Sequence, residues 1–573
     1  MTAKRKLSIP NPFKRFKVAD HLQKLYVDLN NERRRGDAFD YVLMMLPSQM
    51  PPLPEPRGLI RRRVFGEPPL SLWELERRFE RISKDPRPKG VILHLRGFAM
   101  SLADLQTLRD SITRLRESGK RVYCFAQQYD LATYYVASAA NEIILQPGGN
   151  VFTVGLRQEA VFFKDTLERV GIEVDSIAIS PYKGAADAFT RNNISPEGRE
   201  QLEWILDSRF KQIKAAIAEG RNFTPEKTQE IIDNAPYLDR FAKGISVIDA
   251  VLFEEELYTY LGTKKVVTWE EADSKLYMQH RPTQDKYIGV LEISGLMFPG
   301  ESANPPVTPP IPLPIVDDGR VGDITVVRQV RALMKDENLC GVILFVDSGG
   351  GAATAAEAMR AALVELANQV PVVVYMNGVA ASGGYLVATA GQHIIAQPGT
   401  ITGSIGVLLS KPVTSELRSK LHIHATEFLR GKNADILSPT KAFSEEQRTW
   451  LRESIERTYD IFIEHVARNR EMEKEDVDKI GGGRVWTGAQ ALENGLVDEL
   501  GGFKQAVDKV RELADLPEGT PIALVSSKTK PIVPQVAEKV NPAAYWQYLN
   551  GTVSAVANAQ PQLLSPIVFD RTL

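Results

Sequence analysis

The sequence predicts an α/β fold built from two tandem copies of one unit, and three observations support this prediction. The segment starting at Gly90, "GVILHLRGFAMSLADLQTLRDSI", aligns with the segment starting at Gly341, "GVILFVDSGGGAATAAEAMRAAL", at an offset of 251 residues (341 minus 90). Without a gap, the same offset aligns "VASAANEIILQPGG" with "VATAGQHIIAQPGT", and a fixed spacing of this kind indicates an internal repeat. Unbroken runs of Val, Ile and Leu alternate with helical patterns, which is typical of parallel strands buried on both faces.

Each copy has the same order of predicted elements. A strand comes first ("DYVLMMLP" and "KYIGVLEISGLMF"), and a proline-rich excursion follows it ("PPLPEP" and "PPVTPPIPLP"). A helix ("LWELERRFERI" and "ITVVRQVRALM") then precedes a continuous apolar strand ("GVILHL" and "GVILFV"). The proline-rich run 305–314 resembles a ligand of SH3 domains, but the similar excursion at the corresponding place in the first copy favours a rim loop of the fold.

The repeat and the composition along the chain divide it into five segments. We expect a basic N-terminal arm over 1–39, the first α/β copy over 40–265 and the second copy over 286–515. A polar linker over 266–285 joins the two copies, and a tail covers 516–573. With 573 residues the chain is too long for one ordinary core, which agrees with two α/β units.

Charge and composition argue against several classes of function. Lys+Arg 70 and Asp+Glu 72 leave a formal charge of -2, so no overall basic field indicates a nucleic-acid partner. The sequence has no uninterrupted apolar stretch of about 18 residues, so we expect neither a signal peptide nor a transmembrane helix. Cys124 and Cys340 lie in β-like apolar runs, where reduced thiols are expected. We therefore expect a protein on the cytoplasmic side, either soluble or peripherally associated with a membrane.

The N-terminal arm combines basic residues with aromatic and apolar ones. Its cations are Lys4, Arg5, Lys6, Lys14, Arg15, Lys17, Arg33, Arg34 and Arg35. The apolar residues between them are Phe13, Phe16, Leu22, Leu25, Tyr26 and Leu29. Such a segment could bind the surface of an anionic membrane. A solvated arm and a helix docked on the body are the alternatives that the sequence leaves open.

The two copies differ at the positions where chemistry would take place. At the end of the "GVIL" strand the second copy has "DSGGGAA" (347–353), whereas the first has "RGFAMSL". At the position of Ser382 in "VAASGGYLVATAG", the first copy has Leu131. Glycine-rich turns permit positive φ and expose backbone amides, so we predict that the second copy holds a site that the first has lost.

Ser382 is the candidate nucleophile of this site. A serine nucleophile requires a base and hydrogen-bond donors for the oxyanion. Gly383 directly follows the serine, and Gly350 lies in the glycine-rich turn, so their amides are candidate donors at strand ends that converge. Tyr182 and Tyr385, which lie near the candidate residues in the sequence, are predicted to be packing residues.

The base is less obvious, because no histidine follows a recognisable triad or metal pattern. His422 and His424 form an H-x-H pair, but no third ligand lies nearby, so we predict neither a metal nor another cofactor. A lysine can act as the base when burial lowers its pKa toward neutrality. Lys183 and Lys432 occupy comparable places in the repeats. The small neighbours of Lys183 favour burial, and the polar neighbours of Lys432 favour a solvated loop.

These segments together resemble the signal peptide peptidase SppA family in its long, tandem form. The resemblance is carried by "VILFVDSGGG", "VAASGGYLVATAG" and "ITGSIGV", together with "PYKGAADAFTRNNISPEGREQLEWIL" and "RVWTGAQALENGLVDELGG". It covers the chain from about residue 40 to 515. It implies two Clp-protease/crotonase-like α/β repeats, assembled as a bowl-shaped homotetramer.

The resemblance also implies the chemistry and the residues that perform it. In the family, a serine from the second repeat and a lysine from the first form a dyad, and the matching residues here are Ser382 and Lys183. The amides of Gly350 and Gly383 would stabilise the oxyanion, and Ser404 in "TGSIG" would orient the lysine. The implied function is a serine endopeptidase that hydrolyses apolar peptides such as released signal peptides.

The sequence departs from the family pattern in two respects. The usual "NSPGG" turn is "DSGGG" here, with Asp347 in place of Asn and Gly349 in place of Pro, whereas Gly350 is retained. In addition, we expect no transmembrane anchor of the kind that many members have. Two other functions stay open: an acyl-CoA hydrolase or crotonase-like enzyme, and a non-catalytic membrane-associated scaffold.

Overall fold

The structure, a computed structural model, describes residues 12–55, 66–280, 284–303, 319–525 and 562–564. It describes 12–19 and 562–564 by their backbone alone. The described chain is a mixed α/β protein with two largely parallel sheets, one from each half, and a third sheet to which both halves contribute. The predicted α/β class is therefore confirmed.

The N-terminal half folds around a sheet of six parallel strands. In spatial order the strands are Val266–Thr268, Tyr41–Met45, Gly90–Leu95, Arg121–Ala126, Glu142–Leu145 and Ala250–Val251. All residues of "GVILHL" are buried, as expected for a strand with helices on both faces of its sheet. Three short strands form a small separate sheet: Tyr129–Asp130, Asn150–Phe152 and Tyr237–Leu238.

The C-terminal half repeats this arrangement. The corresponding parallel order is Ile522–Val525, Tyr287–Ser294, Leu339–Ser348, Val372–Ala381, His393–Ala396 and Glu499–Leu500. The last residues of Val372–Ala381 also pair with Ile401–Gly403, which in turn pairs with Val485–Thr487. This extension of the sheet ends beside Ser382, the residue that follows Ala381.

Both parallel sheets include an edge strand that the predicted boundaries leave out. The segment 266–285, predicted as a linker, begins with the strand Val266–Thr268, and its helix buries Trp269 in the N-terminal core. In the same way, Ile522–Val525 lies beyond the predicted end at 515 and pairs with the first strand of its sheet. Short apolar runs among polar residues give a weak strand signal, and pairing with an existing sheet is what stabilises them.

The third sheet joins the two halves and passes beside the glycine-rich turn. Glu173–Ala178 of the N-terminal half pairs antiparallel with Leu408–Val413 of the C-terminal half. Beyond Leu408–Val413 the sheet continues, in order, with Gln562–Leu564, Gly350–Ala352, Leu296–Phe298 and Arg320–Gly322. Lys183 follows Glu173–Ala178 closely in the chain, so this pairing directs the lysine toward the C-terminal half.

The remaining elements of the two halves are mostly helices. In the N-terminal half they are Leu72–Lys84, Leu102–Glu117, Leu131–Ala137, Lys164–Val170, Asp187–Thr190, Pro196–Arg221, Pro225–Asp233, Asp239–Gly244, Leu257–Tyr260 and Trp269–Lys275, with a 3-10 turn at Glu254–Glu256. In the C-terminal half they are Asp323–Leu333, Ala353–Ala367, Gly383–Ala388, Ser415–Lys420, Glu445–Arg470, Lys474–Ile480, Gly488–Glu493 and Phe503–Leu513. The helix Pro196–Arg221 reaches the other half, where Trp204 Nε1 donates to the Val485 carbonyl at 2.8 Å.

The N-terminal arm contains one long helix, Pro12–Arg34, which packs on the N-terminal half. Val27 is buried, and the Asn31 side chain exchanges hydrogen bonds with the backbone of Met278. The helix also exposes an apolar stripe at helical spacing, and each member is at least half exposed: Leu22, Leu25, Tyr26 and Leu29. Within the described residues, no helix is both long enough and apolar enough to cross a membrane.

Several sequence predictions fall on residues outside the described part of the chain. They are the rim loop at 305–314, the first cations of the arm, and most of the tail 516–573, of which the structure describes 516–525 and 562–564. Cys124 is buried and Cys340 is half-buried, and both are free thiols.

Candidate active site

The structure brings together two side chains that lie 199 residues apart in the chain. Lys183 Nζ lies 2.7 Å from Ser382 Oγ, and both side chains are buried. Nζ also contacts the backbone carbonyl oxygen of Ser404 at 2.8 Å and its hydroxyl at 2.9 Å. The residues predicted as nucleophile, base and lysine-orienting serine therefore form one buried cluster between the two halves.

Ser382 occupies a strained turn between the strand Val372–Ala381 and the short helix that follows. Its φ of +55° and ψ of −115° lie in a region that residues with a side chain rarely adopt. The backbone N–H of Ser382 donates to the Gly403 carbonyl at 2.8 Å, which holds the turn against the sheet. A Cβ at Gly384 would lie 2.3 Å from the Ser348 carbonyl oxygen, so the close packing of helix on strand requires glycine there.

Lys183 lies on a turn and is only 1% exposed. Burial lowers the pKa of its ammonium group well below the usual value, because a dry environment disfavours the charged form. An amine that is neutral at physiological pH can accept a proton from a hydroxyl within hydrogen-bond distance. The cluster can therefore activate Ser382 as a nucleophile without a histidine.

Two glycines that the sequence did not mark as site residues make room for the lysine. A Cβ at Gly483 would lie 2.7 Å from Lys183 Cα, and a Cβ at Gly406 would lie 3.2 Å from Lys183 Cδ. The sequence held a signal for each: the triple glycine 481–483, and the match of Gly406 with Gly155 in the repeat. Neither signal says which side chain fills the space, because that side chain comes from the other half.

An aromatic stack holds the lysine turn against the C-terminal half. Tyr182 stacks on Trp204 with ring centres 6.0 Å apart, and Trp204 stacks on Trp486 at 4.8 Å. The guanidinium group of Arg484 lies 4.1 Å from the centre of the Tyr182 ring. Tyr385 is buried, and its hydroxyl donates to a backbone carbonyl. Both tyrosines have the packing contacts predicted for them. The stacking of Trp204 on Trp486 was not predicted, because the two residues lie in different halves of the chain.

The two predicted oxyanion donors are neighbours, and one of them already has a partner. A Cβ at Gly383 would lie 3.1 Å from Gly350 Cα, and Gly383 begins a helix whose first amides have no partner within that helix. Gly350 has a φ of +102°, and its amide donates to Ser348 Oγ at 3.1 Å. To donate to an oxyanion, the Gly350 amide would have to break its hydrogen bond with the Ser348 hydroxyl.

A strand from the C-terminal tail runs along the glycine-rich turn. Gln562–Leu564 pairs antiparallel with Gly350–Ala352, and on its other side Gln562 pairs with Leu408. The edges of Gly350–Ala352 and Leu408–Val413 therefore form a groove that accepts one extended chain between them. Because Gly350 belongs to one wall, a chain in this groove lies next to the candidate oxyanion donor.

The other candidates from the sequence lie apart from this cluster. Lys432 is exposed and forms an ion pair with Glu446, so it is not a desolvated amine. His422 and His424 lie on an exposed segment. Over the described ranges, no group of three or more His, Cys, Asp or Glu side chains could hold a metal ion.

Comparison with protein-family models identifies both halves. The model described as "Peptidase family S49" matches residues 114–268 and again residues 365–517. The chain belongs to peptidase family S49. The first match to the S49 model ends with the edge strand Val266–Thr268, and the second ends shortly before the corresponding strand Ile522–Val525.

Relatives that align with most of this S49 chain are also proteases. It is 31% identical to "Protease 4" of Salmonella typhi over 80% of this chain and 75% of the relative. It is 30% identical to "Protease 4" of Haemophilus influenzae over 79% of this chain and 74% of the relative. "Serine protease SPPA, chloroplastic" of Arabidopsis thaliana is 29% identical over 80% of this chain and 68% of the relative. The chain is thus a serine protease, and its resemblance to the SppA family is confirmed.

Proposed function

We propose that this S49 peptidase cleaves peptides with a Ser/Lys dyad in which Ser382 is the nucleophile and Lys183 the general base. The observation that carries the proposal is the 2.7 Å contact between Lys183 Nζ and Ser382 Oγ in a buried site. The same burial lowers the pKa of the lysine, so that the neutral amine needed for catalysis is accessible. No histidine or metal is required for this chemistry.

Acylation begins when Ser382 Oγ attacks the carbonyl carbon of the scissile bond and Lys183 Nζ takes the hydroxyl proton. The tetrahedral intermediate carries its negative charge on the former carbonyl oxygen, which the amides of Gly350 and Gly383 stabilise. The C–N bond then breaks, and the Lys183 ammonium gives its proton to the leaving amine. Water attacks the acyl-enzyme with Lys183 again as the base, and Ser382 regains its proton as the acid product leaves.

Ser404 is a positioning residue in this reaction. A neutral amine has two N–H donors and one lone pair. Because the carbonyl oxygen and the hydroxyl of Ser404 both lie within hydrogen-bond distance of Nζ, they can accept the two donors. The lone pair then faces Ser382 Oγ, which is the direction that proton transfer requires.

We propose that the substrate is an extended apolar peptide that adds a strand to the groove beside Gly350–Ala352. The pairing of the chain's own Gln562–Leu564 with both walls supports this binding mode. Backbone pairing of this type binds a peptide through main-chain hydrogen bonds, and side-chain pockets then set its specificity. Released signal peptides are apolar segments of this kind, and they are the substrates that the resemblance to the SppA family implies.

Hydrolysis of an apolar peptide ester by the purified protein tests the dyad. We expect Ser382→Ala and Lys183→Ala each to lower kcat/KM by about 10³-fold or more, because attack and proton transfer depend on each other. Lys432→Ala is the matched control, an exposed lysine whose loss should change kcat/KM by less than about twofold. Full activity of Lys183→Ala would contradict the base. Faster hydrolysis of acyl-CoA thioesters than of peptides would favour the crotonase-like alternative.

We also propose that the protein assembles as the homotetramer that the family resemblance implies. Exposed apolar side chains on the segment 421–437 support an assembly contact there, and Phe428 is 85% exposed. Light scattering should give a mass near four times the 63.7 kDa of one chain. A monomer at micromolar concentration would contradict the proposal.

Peripheral contact with the cytoplasmic side of a membrane is a further part of the proposed function. The apolar stripe of the helix Pro12–Arg34 supports it, because Leu25 and the other side chains of the stripe are exposed and the arm is rich in cations. We expect the protein to sediment with vesicles of phosphatidylglycerol and phosphatidylcholine, and we expect salt and the substitution Leu25→Asp to weaken this binding. Equal binding of Leu25→Asp would contradict the role of the stripe.

A further inference from the structure

Asp347 lies at an irregularity in the strand pairing of the C-terminal sheet, immediately before the glycine-rich turn. Val346 pairs with Met376 and Ser348 with Ala380, so one residue on the first strand faces three on the second. Such a bulge interrupts the regular ladder of backbone hydrogen bonds. The Asp347 carboxylate spans it, because its Oδ1 accepts the backbone N–H of Val379 at 3.1 Å.

Asn377, inside the same bulge, extends this contact to the N-terminal half. It is buried, and its Nδ2 donates to Asp347 Oδ2 at 3.2 Å and to Asp104 Oδ1 at 3.2 Å. Asp104 lies in the first turn of the helix Leu102–Glu117, where the Ser101 hydroxyl donates to its other oxygen at 2.7 Å. One amide group thus links carboxylates from the two halves of the molecule. We call Asp104, Asn377 and Asp347 the carboxylate bridge.

Two members of the carboxylate bridge, Asp347 and Asn377, lie on the two strands that lead into the site. Gly350 follows Asp347 by three residues, and Ser382 follows Val379 by three residues. A change in the spacing of the two strands at the bulge would therefore displace the oxyanion turn relative to the nucleophile. Displacements of about 1 Å can lower a reaction rate by about 10²-fold.

The bridge concentrates negative charge in a place where charge is unfavourable. Burial is the main cause that raises the pKa of Asp104 to about 6, the hydrogen bond from Ser101 opposes it, and the negative charge of Asp347 raises the pKa further. The hydroxyl of Tyr375 donates to Asn377 Oδ1 at 3.3 Å, and the acid Asp110 lies further along the helix of Asp104. Strongly perturbed acids of this kind concentrate at functional sites.

We propose that the carboxylate bridge is a positioning device that holds the Gly350 turn at its working distance from Ser382, and that the N-terminal half takes part in it through Asp104. The inference rests on the proposed dyad, because it concerns the oxyanion turn of the same site. It assigns a role to Asp347, one of the two residues at which the turn departs from the usual "NSPGG".

Substitutions at Asp347 test the link between the strands. We expect Asp347→Ala to lower kcat for an apolar peptide ester by about 10- to 100-fold with KM within about twofold, because the turn moves while the groove persists. Asp347→Asn retains an acceptor for the Val379 amide but presents an N–H donor to Asn377 Nδ2, so kcat should recover only in part, to about three- to tenfold below wild type. The inhibition constant of a peptide boronic acid, which forms a tetrahedral adduct on Ser382, should rise in step with the loss of kcat.

A matched pair of substitutions on one helix tests the contribution of the N-terminal half. Asp104→Ala removes a partner of Asn377, and we expect kcat to fall by about three- to tenfold. Asp110→Ala removes an acid on the same helix that hydrogen-bonds Gln397 instead, and kcat should stay within about twofold. Equal effects of the two substitutions would overturn the proposal, and this comparison decides the question even if Asp347→Ala does not fold.

An unchanged kcat in a folded Asp347→Ala protein would also overturn the positioning role. Failure of the dyad itself gives a different result, because Ser382→Ala would then keep its activity and the boronic acid would not inhibit through Ser382. The two proposals can therefore fail separately.

Discussion

The turn that leads from a strand into the helix Leu131–Ala137 in one half and Gly383–Ala388 in the other has a different backbone conformation in each half. In the N-terminal half, Asp130 caps the helix Leu131–Ala137 with an extended backbone, and its carboxylate accepts the Thr133 amide at 2.7 Å. In the C-terminal half, Ser382, which matches the helical Leu131 at the repeat offset, lies just before the helix Gly383–Ala388 with a φ of +55° and makes no side-chain cap. The half without a nucleophile has a relaxed, capped turn, and the half with the nucleophile keeps a strained one. Strain at this position is therefore a property of the site and not of the fold.

A second pair of positions, Ser404 and Thr153, also differs between the half with the nucleophile and the half without it. Ser404 corresponds to Thr153 at the repeat offset, and both side chains are buried. Ser404 holds Lys183, whereas the Thr153 hydroxyl has no hydrogen-bond partner within the described residues. Each half thus contributes one part of the cluster: the N-terminal half supplies the lysine, and the C-terminal half supplies the serines that face it.

The largest effect is expected from an attempt to move the nucleophile into the N-terminal half. Leu131→Ser combined with Ser382→Ala should leave kcat/KM about 10³-fold or more below wild type, because the capped turn offers neither a base nor glycine amides. Hydrolysis of a peptide ester and labelling with a fluorophosphonate measure the result. Labelling at position 131 would show that the two turns are chemically equivalent, contrary to this expectation.

We also expect kcat/KM to depend strongly on pH, because only a neutral lysine can act as the base. Burial lowers the pKa of Lys183, so kcat/KM should rise with pH, by about tenfold per unit below that pKa, and become constant above it. Lys183→Arg places a permanently protonated group in the site and should stay about 10²-fold or more below wild type at every neutral pH. A pH profile that is the same in both proteins would exclude the lysine as the titrating base.

Deletion of the tail strand that occupies the groove of the C-terminal half should change the kinetics less than the substitutions above. Deletion of the chain from Gln562 onward removes the strand between Gly350–Ala352 and Leu408. We expect KM for a peptide substrate to fall by about two- to tenfold while kcat stays constant, because a competing strand is lost. Steady-state kinetics on proteins of equal purity measure both constants, and an unchanged KM would show that the tail does not compete for the groove.

The smallest effect is expected at Thr153, where the N-terminal half retains a hydroxyl without a partner. Thr153→Val replaces that hydroxyl with a methyl group and should raise the free energy of unfolding by about 1 kcal/mol, or the Tm by about 2–4 °C. Activity should not change. Ser404→Val, the matched substitution in the C-terminal half, should instead lower kcat, because the lysine loses an acceptor. Destabilisation by Thr153→Val would mean that the hydroxyl has a stabilising role.

Much of the fold could be predicted because its signals are local. Runs such as "GVILHL" and "GVILFV" identify buried parallel strands by themselves, and the offset between them reveals the duplication. The edge strands Val266–Thr268 and Ile522–Val525 were missed in both halves, since each is stabilised by a neighbour that is distant in the sequence. The Gly350 amide was predicted as an available donor, and only the structure shows its contact with Ser348 Oγ.

The α/β repeats and the difference between Ser382 and Leu131 can be read from the amino-acid sequence alone, because composition and periodicity report the local environment of each residue. The sequence left Lys183 and Lys432 as alternatives until the family resemblance favoured the first. The folded chain reveals which lysine is desolvated beside the serine, which glycines leave space for it and which aromatic rings hold its turn. These features depend on side chains that belong to opposite halves, and their distances follow from how the two halves pack.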